Sequence, residues 1–326
     1  RLLVKPCRGS AIDYHKKAPD IATQFGAGTC RVRKAADPRN LWIELRTGDP
    51  LAEPIKPPPP DPNVDLERVQ VGITEDGDPW FLKILGRHLL LAGETGAGKS
   101  SLIWAILWAI APLIKLGLVE VHAIDPKGGM ELGKGDDAGL FARYAEEDFD
   151  SMMQLLLDAK QRMDEHKASA RAQGRRKHIP TLQQPYLIVI IDEAAVLKLL
   201  SDDTKKAAFL ERVQTLILAQ GRAPGVTVIS ALQVPTVATD ATRALYPNRV
   251  QFRTMEQRHF GMTLAPGVLE YIDPELLDMP GKAFFLNDGT AEPGLGRVFH
   301  VEDEDIEWLG SEYGLQEDVE RVRSIA

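Results

Sequence analysis

Eight consecutive residues, Gly93-Glu94-Thr95-Gly96-Ala97-Gly98-Lys99-Ser100, have the types and spacing of a phosphate cradle. They fit Gly-x4-Gly-Lys-Ser/Thr, which arises by chance in a chain of this length only about once in a hundred. Glycines let successive backbone N–H groups turn inward on an anion, and a helix N-terminus adds partial positive charge there. In such a cradle Lys99 reaches the β- and γ-phosphates of ATP and Ser100 ligates Mg²⁺. Gly93, Glu94, Thr95, Gly96, Ala97, Gly98 and Ser101 complete the binding segment. A second chemical pair, Asp192-Glu193, closes the apolar run Tyr186-Leu187-Ile188-Val189-Ile190-Ile191. A carboxylate at the tip of a strand beside the cradle strand orders Mg²⁺, and its neighbour orients and deprotonates the attacking water. Asp192 is assigned to the metal and Glu193 to the water. Asp125 and Lys127 stand at the carboxyl end of another strand-like run, where they serve the nucleotide region, the subunit interface or a structural turn.

The flanking pattern supplies the elements that must position these groups. Arg87 to Ala92 reads as a short buried strand. From Lys99 a helix follows, with Leu102, Ile103, Ile106, Leu107 and Ile110 at spacings of three and four, and Pro112 is expected to end it. Val119 to Asp125 and Tyr186 to Ile191 read as strands, with a helix from about Asp148 to Gln173 between them. Phe209 to Gln220 reads as a helix stopped by Gly221. Further strands are expected at Val226 to Leu232, Arg249 to Arg253 and Ala283 to Leu286. Strands alternating with helices predict an α/β fold with a mainly parallel sheet. A hairpin is expected over Val69 to Leu82, turning at Glu75-Asp76-Gly77-Asp78. Six prolines between Pro54 and Pro62 read as a linker. The expected organisation is therefore a small N-terminal subdomain with linker (1–64), a motor domain (65–300) and an acidic tail (301–326) ending in a short helix.

A hydrophobic content of 44% is enough for a full core, and the net charge of −8 excludes a histone-like basic coat without excluding a few basic residues in a pore. Cys7 and Cys30 form no CxxC pair, so neither a zinc site nor a disulfide framework is expected, and a reducing cytoplasm fits. No apolar run is long enough to span a bilayer. The chain starts at Arg1, which leaves room for a membrane anchor outside it.

Taken together, these runs resemble the motor of the FtsK/SpoIIIE DNA translocases, particularly the Tra-type motors of actinobacterial conjugative elements. The resemblance is carried by His88 to Ser100, by Ile124-Asp125-Pro126-Lys127-Gly128-Gly129-Met130-Glu131-Leu132, and by Ile190-Ile191-Asp192-Glu193. Gln220-Gly221-Arg222-Ala223-Pro224-Gly225-Val226 and Ala231-Leu232-Gln233-Val234-Pro235 extend it. It covers about residues 65–290. The resemblance implies a RecA-like P-loop NTPase that works as a hexameric ring around double-stranded DNA, hydrolysing ATP to move along it.

By position, Gln233 matches the family's sensor glutamine and Arg222 its arginine finger toward a neighbouring subunit, with Arg249 or Arg253 as alternatives. Arg222 also fits a plain helix C-cap. Arg243 and Arg249 align with basic pore positions that bind phosphates without reading bases. Val234 stands where the family has an arginine, so one expected phosphate contact is missing. The basic run Arg171 to His178 reads as a solvated loop or a second DNA contact. No winged-helix module is expected after the motor. The implied setting is the cytoplasmic face of the inner membrane, in conjugative transfer or chromosome partition. A protein-secretion ATPase of the type VII, EccC-like branch is the alternative.

Overall fold

The computed structural model describes residues 1–6, 14, 17–37, 39–146, 148–197, 199–201, 203–235, 242–290 and 292–315. The chain divides into two compact units, one comprising residues 1–53 with 75–77, the other 54–74 with 78–326. The first unit is a three-stranded antiparallel sheet, in the order β1-β3-β2, with one short helix. Its elements are β1 (Leu2–Val4), α1 (Ala18–Gln24), β2 (Thr29–Lys34) and β3 (Leu41–Arg46). Its core is small, Ala22, Val32, Ile43 and Leu51, and is supplemented by ion pairs of Arg46 with Glu75 (2.8 Å) and Asp76 (2.5 Å).

The second unit is built on a ten-stranded sheet. In chain order it comprises β4 (Val69–Thr74), β5 (Pro79–Leu82), β6 (Leu89–Ala92), α2 (Lys99–Lys115), β7 (Val119–Asp125), α3 (Gly133–Asp137) and β8 (Arg143–Glu146). There follow α4 (Phe149–Ala172), β9 (Tyr186–Ile191), α5 (Thr204–Gln220), β10 (Val226–Leu232), β11 (Asn248–Phe252) and α6 (Arg258–Thr263). The unit closes with β12 (Lys282–Leu286), β13 (Gly294–Val298) and α7 (Asp303–Tyr313). The strand order is β5-β4-β13-β12-β11-β6-β10-β9-β7-β8, parallel from β11 to β8 and antiparallel on the other side.

Alternation along the buried strands sorts their side chains into two cores. Leu89, Leu91, Ile188 and Ile190 face α2 and α7, while Leu90, Ala92, Val189 and Ile191 face α4 and α5. This explains why α2 is apolar around most of its circumference. One side meets the sheet and another meets α7, where Trp108 lies 5.2 Å from Trp308 between ring centroids.

Three expectations about the helices and the sheet order change. First, α2 runs past Pro112 to Lys115. Pro112 lies in the last turn, where its missing N–H forfeits one intrahelical bond, and burial of Ala111, Pro112 and Ile114 holds the turn together. Second, α5 starts at Thr204 rather than Phe209, because the Asp203 side chain accepts from the N–H of Lys205 at 2.7 Å and so starts the helix before its apolar pattern begins. Third, the strand that ends at Asp192 is not next to the cradle strand, since β10 lies between β9 and β6.

The proline-rich run belongs to the second unit. Pro58 accepts from the Trp108 indole at 2.7 Å and Ile55 pairs with Phe299, so the break between units falls at Glu53, earlier than residue 64. A helix, α7, opened by a Glu302–Asp305 capping box, begins the acidic tail, and residues 316–326, where the tail is expected to end in a short helix, lie outside the described residues.

Candidate nucleotide site

Five parallel strands bring chemistry to one edge of the sheet. Gly93 follows β6, Asp125 ends β7, Asp192 follows β9, Gln233 follows β10 and Arg253 follows β11. These are carboxyl ends, where open α/β sheets bind ligands. The loop 93–98 then turns into α2, whose N-cap is Gly98 with φ 115° and no side-chain cap. A Cβ at Gly98 would lie 2.7 Å from the backbone of Gly281, whose N–H donates to the Ala97 carbonyl at 2.9 Å, so only glycine fits this braced turn. Beside Gly96, by contrast, the space is open.

Lys99 is buried. Its ammonium donates to the carbonyls of Gly93 (2.7 Å) and Glu94 (3.1 Å) across the loop. Burial, and then the nearby Lys127 ammonium, lower its pKa. A buried cation beside uncapped helix N–H groups is a site for an anion.

Asp192 and Glu193 are 2% and 4% exposed. Burial raises the pKa of Asp192. Glu193 has φ 60°, the one positive φ outside glycine among the described residues, a conformation that costs a residue of this type about 1 kcal/mol or more. It is held there by the backbone: the Ala194 N–H donates to Ala231 at 3.0 Å, and the Gln233 N–H donates to the Glu193 carboxylate at 2.9 Å. β10 therefore carries the group that fixes Glu193, which is what its place between β9 and β6 accomplishes.

The segment between β7 and α3 completes the site. Asp125, fully buried, accepts from the N–H groups of Lys127 (3.0 Å), Glu131 (3.2 Å) and Leu132 (3.1 Å) and is the structural anchor of the turn. Lys127 lies 3.2 Å from Asp192 and 3.5 Å from Glu193. Burial alone would lower its pKa, but the two carboxylates outweigh burial and raise it. The Ser100 hydroxyl donates to Glu131. Sequence reasoning gave Glu131 no role. Its only signal was membership in the Asp-Pro-Lys-Gly-Gly-Met-Glu-Leu run, since nothing in spacing alone returns residue 131 to residue 100. Glu94, assigned to the cradle, also pairs with Arg253 at 2.5 Å.

Three arginines fall elsewhere. Arg222 bonds the Gly86 carbonyl at 3.0 Å, at the start of the strands, separated from Lys99 by at least the length of β6, roughly 13 Å. Arg243 donates to Gly261 (3.0 Å) and Met262 (3.2 Å), and Arg249 donates to Leu264, so both engage carbonyls at the C-terminus of α6. Of the pore segment expected at Thr236 to Asn248, residues 236–241 lie outside the described residues, and Arg243 opens a short 3₁₀ turn just before β11. A cavity of about 580 Å³ between the end of α4 and residues 175–185 contains none of these groups and lies apart from the glycine loop.

Ser100 and Asp192 offer the hard oxygen ligands that Mg²⁺ takes, and the cradle offers N–H groups and an ammonium for phosphate, so the residues fit a metal–nucleotide pair. Fold and site together define a P-loop NTPase of RecA-like build. No protein-family model matches the chain. The DNA translocase FtsK of Halalkalibacterium halodurans is 27% identical over 271 residues, covering 77% of this chain and 33% of that protein. The chain spans about a third of the length of the curated relatives it matches.

Among solved structures, the pCW3 conjugation coupling protein TcpA, in a monomer form with ATPγS, superposes with a TM-score of 0.68 at 20% identity over 95% of this chain and 86% of that one. ATPases 2 and 3 of EssC from Geobacillus thermodenitrificans superpose with a TM-score of 0.62 at 15% identity, over 83% and 52%. Over 68–77% of its length the chain is similar in sequence to DNA translocases of the FtsK and SpoIIIE kind.

Proposed function

We propose that this chain is an ATP-driven motor that moves along double-stranded DNA, working as a hexameric ring in conjugative transfer or chromosome partition, at the cytoplasmic face of a membrane. The observation that carries this reading is the meeting of buried Lys99, Asp192 and Glu193 with half-buried Ser100 at one sheet edge, in a chain 27% identical over 271 residues to a DNA translocase. Lys99 balances charge on the β- and γ-phosphates. Bound Mg²⁺, held by Ser100 and Asp192, supplies Lewis-acid charge to the phosphoryl oxygens. The Glu193 carboxylate takes the proton of the attacking water as its oxygen bonds to the γ-phosphorus and the ADP oxygen leaves. The Gln233 side chain senses the γ-phosphate from the end of β10, and Arg222 reaches the nucleotide of the next subunit. Arg243 and Arg249 contact DNA phosphates at the pore from their places beside α6.

The likeness in fold to the cytoplasmic domain of the type VII secretion ATPase EccC of Thermomonospora curvata, with a TM-score of 0.58 at 18% identity, supports a second reading, protein secretion. A single assay separates the two: phosphate release with and without duplex DNA at low and high salt, with Lys99→Ala as the control. We expect stimulation by duplex that fades as salt rises, and no turnover in Lys99→Ala. Turnover indifferent to duplex at low salt, in protein shown to form rings, would favour secretion. Undiminished turnover in Lys99→Ala would remove the nucleotide assignment.

A further inference from the structure

We infer that the segment 126–132 sets the metal affinity of the site through two residues of opposite effect: Lys127 is a resident cation that a metal must displace from Asp192 and Glu193, and Glu131 is a positioning residue that turns the Ser100 hydroxyl toward that metal. This rests on the nucleotide-site reading above.

The geometry begins with two carboxylates at 2% and 4% exposure. Buried carboxylates need a counter-charge. Here it comes from the Lys127 ammonium, 3.2 Å from one and 3.5 Å from the other. A divalent ion taken up by Asp192 meets that ammonium as a like charge at the same oxygens. Either the lysine leaves or the ion binds more weakly. Lysine suits departure, being a point charge on a flexible stem. The backbone beyond it turns through two consecutive left-handed glycines, Gly128 (φ 73°) and Gly129 (φ 76°), before Asp125 ties residues 131 and 132 down again.

Glu131 acts in the other direction. A hydroxyl that gives its proton to a carboxylate keeps its lone pairs for a cation, and the added negative charge strengthens the ligand. Ser100 donates to Glu131 in this way. One anchored turn therefore opposes metal at the Asp192 end and favours it at the Ser100 end. Displaced from Asp192 and Glu193, the Lys127 ammonium is freed when metal arrives, so occupancy of the site is linked to the position of this turn.

The test is a Mg²⁺ titration of the full chain with a fluorescent ATP analogue at fixed concentration, starting from EDTA and reading analogue binding, not turnover. Lys127→Met should lower the Mg²⁺ midpoint by about tenfold, the scale of one adjacent charge. Lys127→Arg should return it to the unaltered value, and Glu131→Gln should raise it by roughly threefold or more. If Lys127→Met fails to fold, Lys127→Gln carries the same expectation. A midpoint unmoved or raised by loss of the lysine overturns the inference, as does movement of the Lys127 and Glu131 variants in the same direction, which a merely structural turn would give. If the unaltered chain binds no analogue at any Mg²⁺ concentration, the nucleotide-site reading falls, and this inference with it. Binding with an unmoved midpoint removes this inference alone.

Discussion

At the scale of single residues, Glu193 holds the least ordinary position. A charged side chain is buried, its backbone sits in the left-handed region, and its carboxylate is fixed by the Gln233 N–H. Each feature is costly alone, and the hydrogen bonds at Ala194 and Gln233 are what sustain them. Under the proposed chemistry, Glu193→Gln should keep the shape and the bond from Gln233 while removing the proton acceptor. Nucleotide-analogue binding should stay within about twofold, and phosphate release should fall by roughly 10²- to 10⁴-fold. Full turnover in this variant would assign the water to another group.

At the scale of elements, α5 shows what a capping residue contributes. Asp203 opens the helix from the N–H groups of Lys205 and Lys206, ahead of any apolar contact. Asp203→Ala should destabilise the second unit by about 1 kcal/mol in a denaturant melt and leave analogue binding unchanged. The same helix shows where the sequence was legible. Its apolar repeat from Phe209 announced the packed part, but the polar turn at 204–208 has no periodic signal. β6, α2, β7, α4, β9 and β10 were legible because long buried runs and three-four spacing leave few alternatives. β8 and β13 were not, since four or five residues such as Arg143–Glu146 and Gly294–Val298 gain their strand character from neighbours already in place. The glycine cradle and the Asp192-Glu193 pair were legible as contiguous motifs. The insertion of β10 between their strands, and the Ser100–Glu131 contact, belong to tertiary arrangement that no local spacing encodes.

At the scale of the whole molecule, acid should unfold the protein through its buried histidines. His88 is fully buried and its Nδ1 accepts the Val228 N–H at 2.9 Å, linking β6 to β10 as a neutral ring. Burial lowers its pKa to about 4 from 6.5. A pKa depressed in the folded state means the unfolded chain binds the proton first. The stability this group contributes is therefore complete above about 6.5 and is lost as pH falls from there to about 4, up to about 3 kcal/mol. Burial also lowers His166, which stacks on His178 at 3.9 Å, adding to the same slope. Denaturant melts between pH 7 and 4.5 should show stability falling steadily with net proton uptake on unfolding. A flat profile would mean that these rings are not held neutral.

The placing of Arg222 beside Gly86, at the opposite end of β6 from the cradle, has its own consequence. On the proposed reading, each molecule keeps its fuel at one pole and the tool that helps burn it at the other. No copy can then serve itself, every copy is lender to one neighbour and borrower from another, and dilution alone would starve the engine while leaving each part intact.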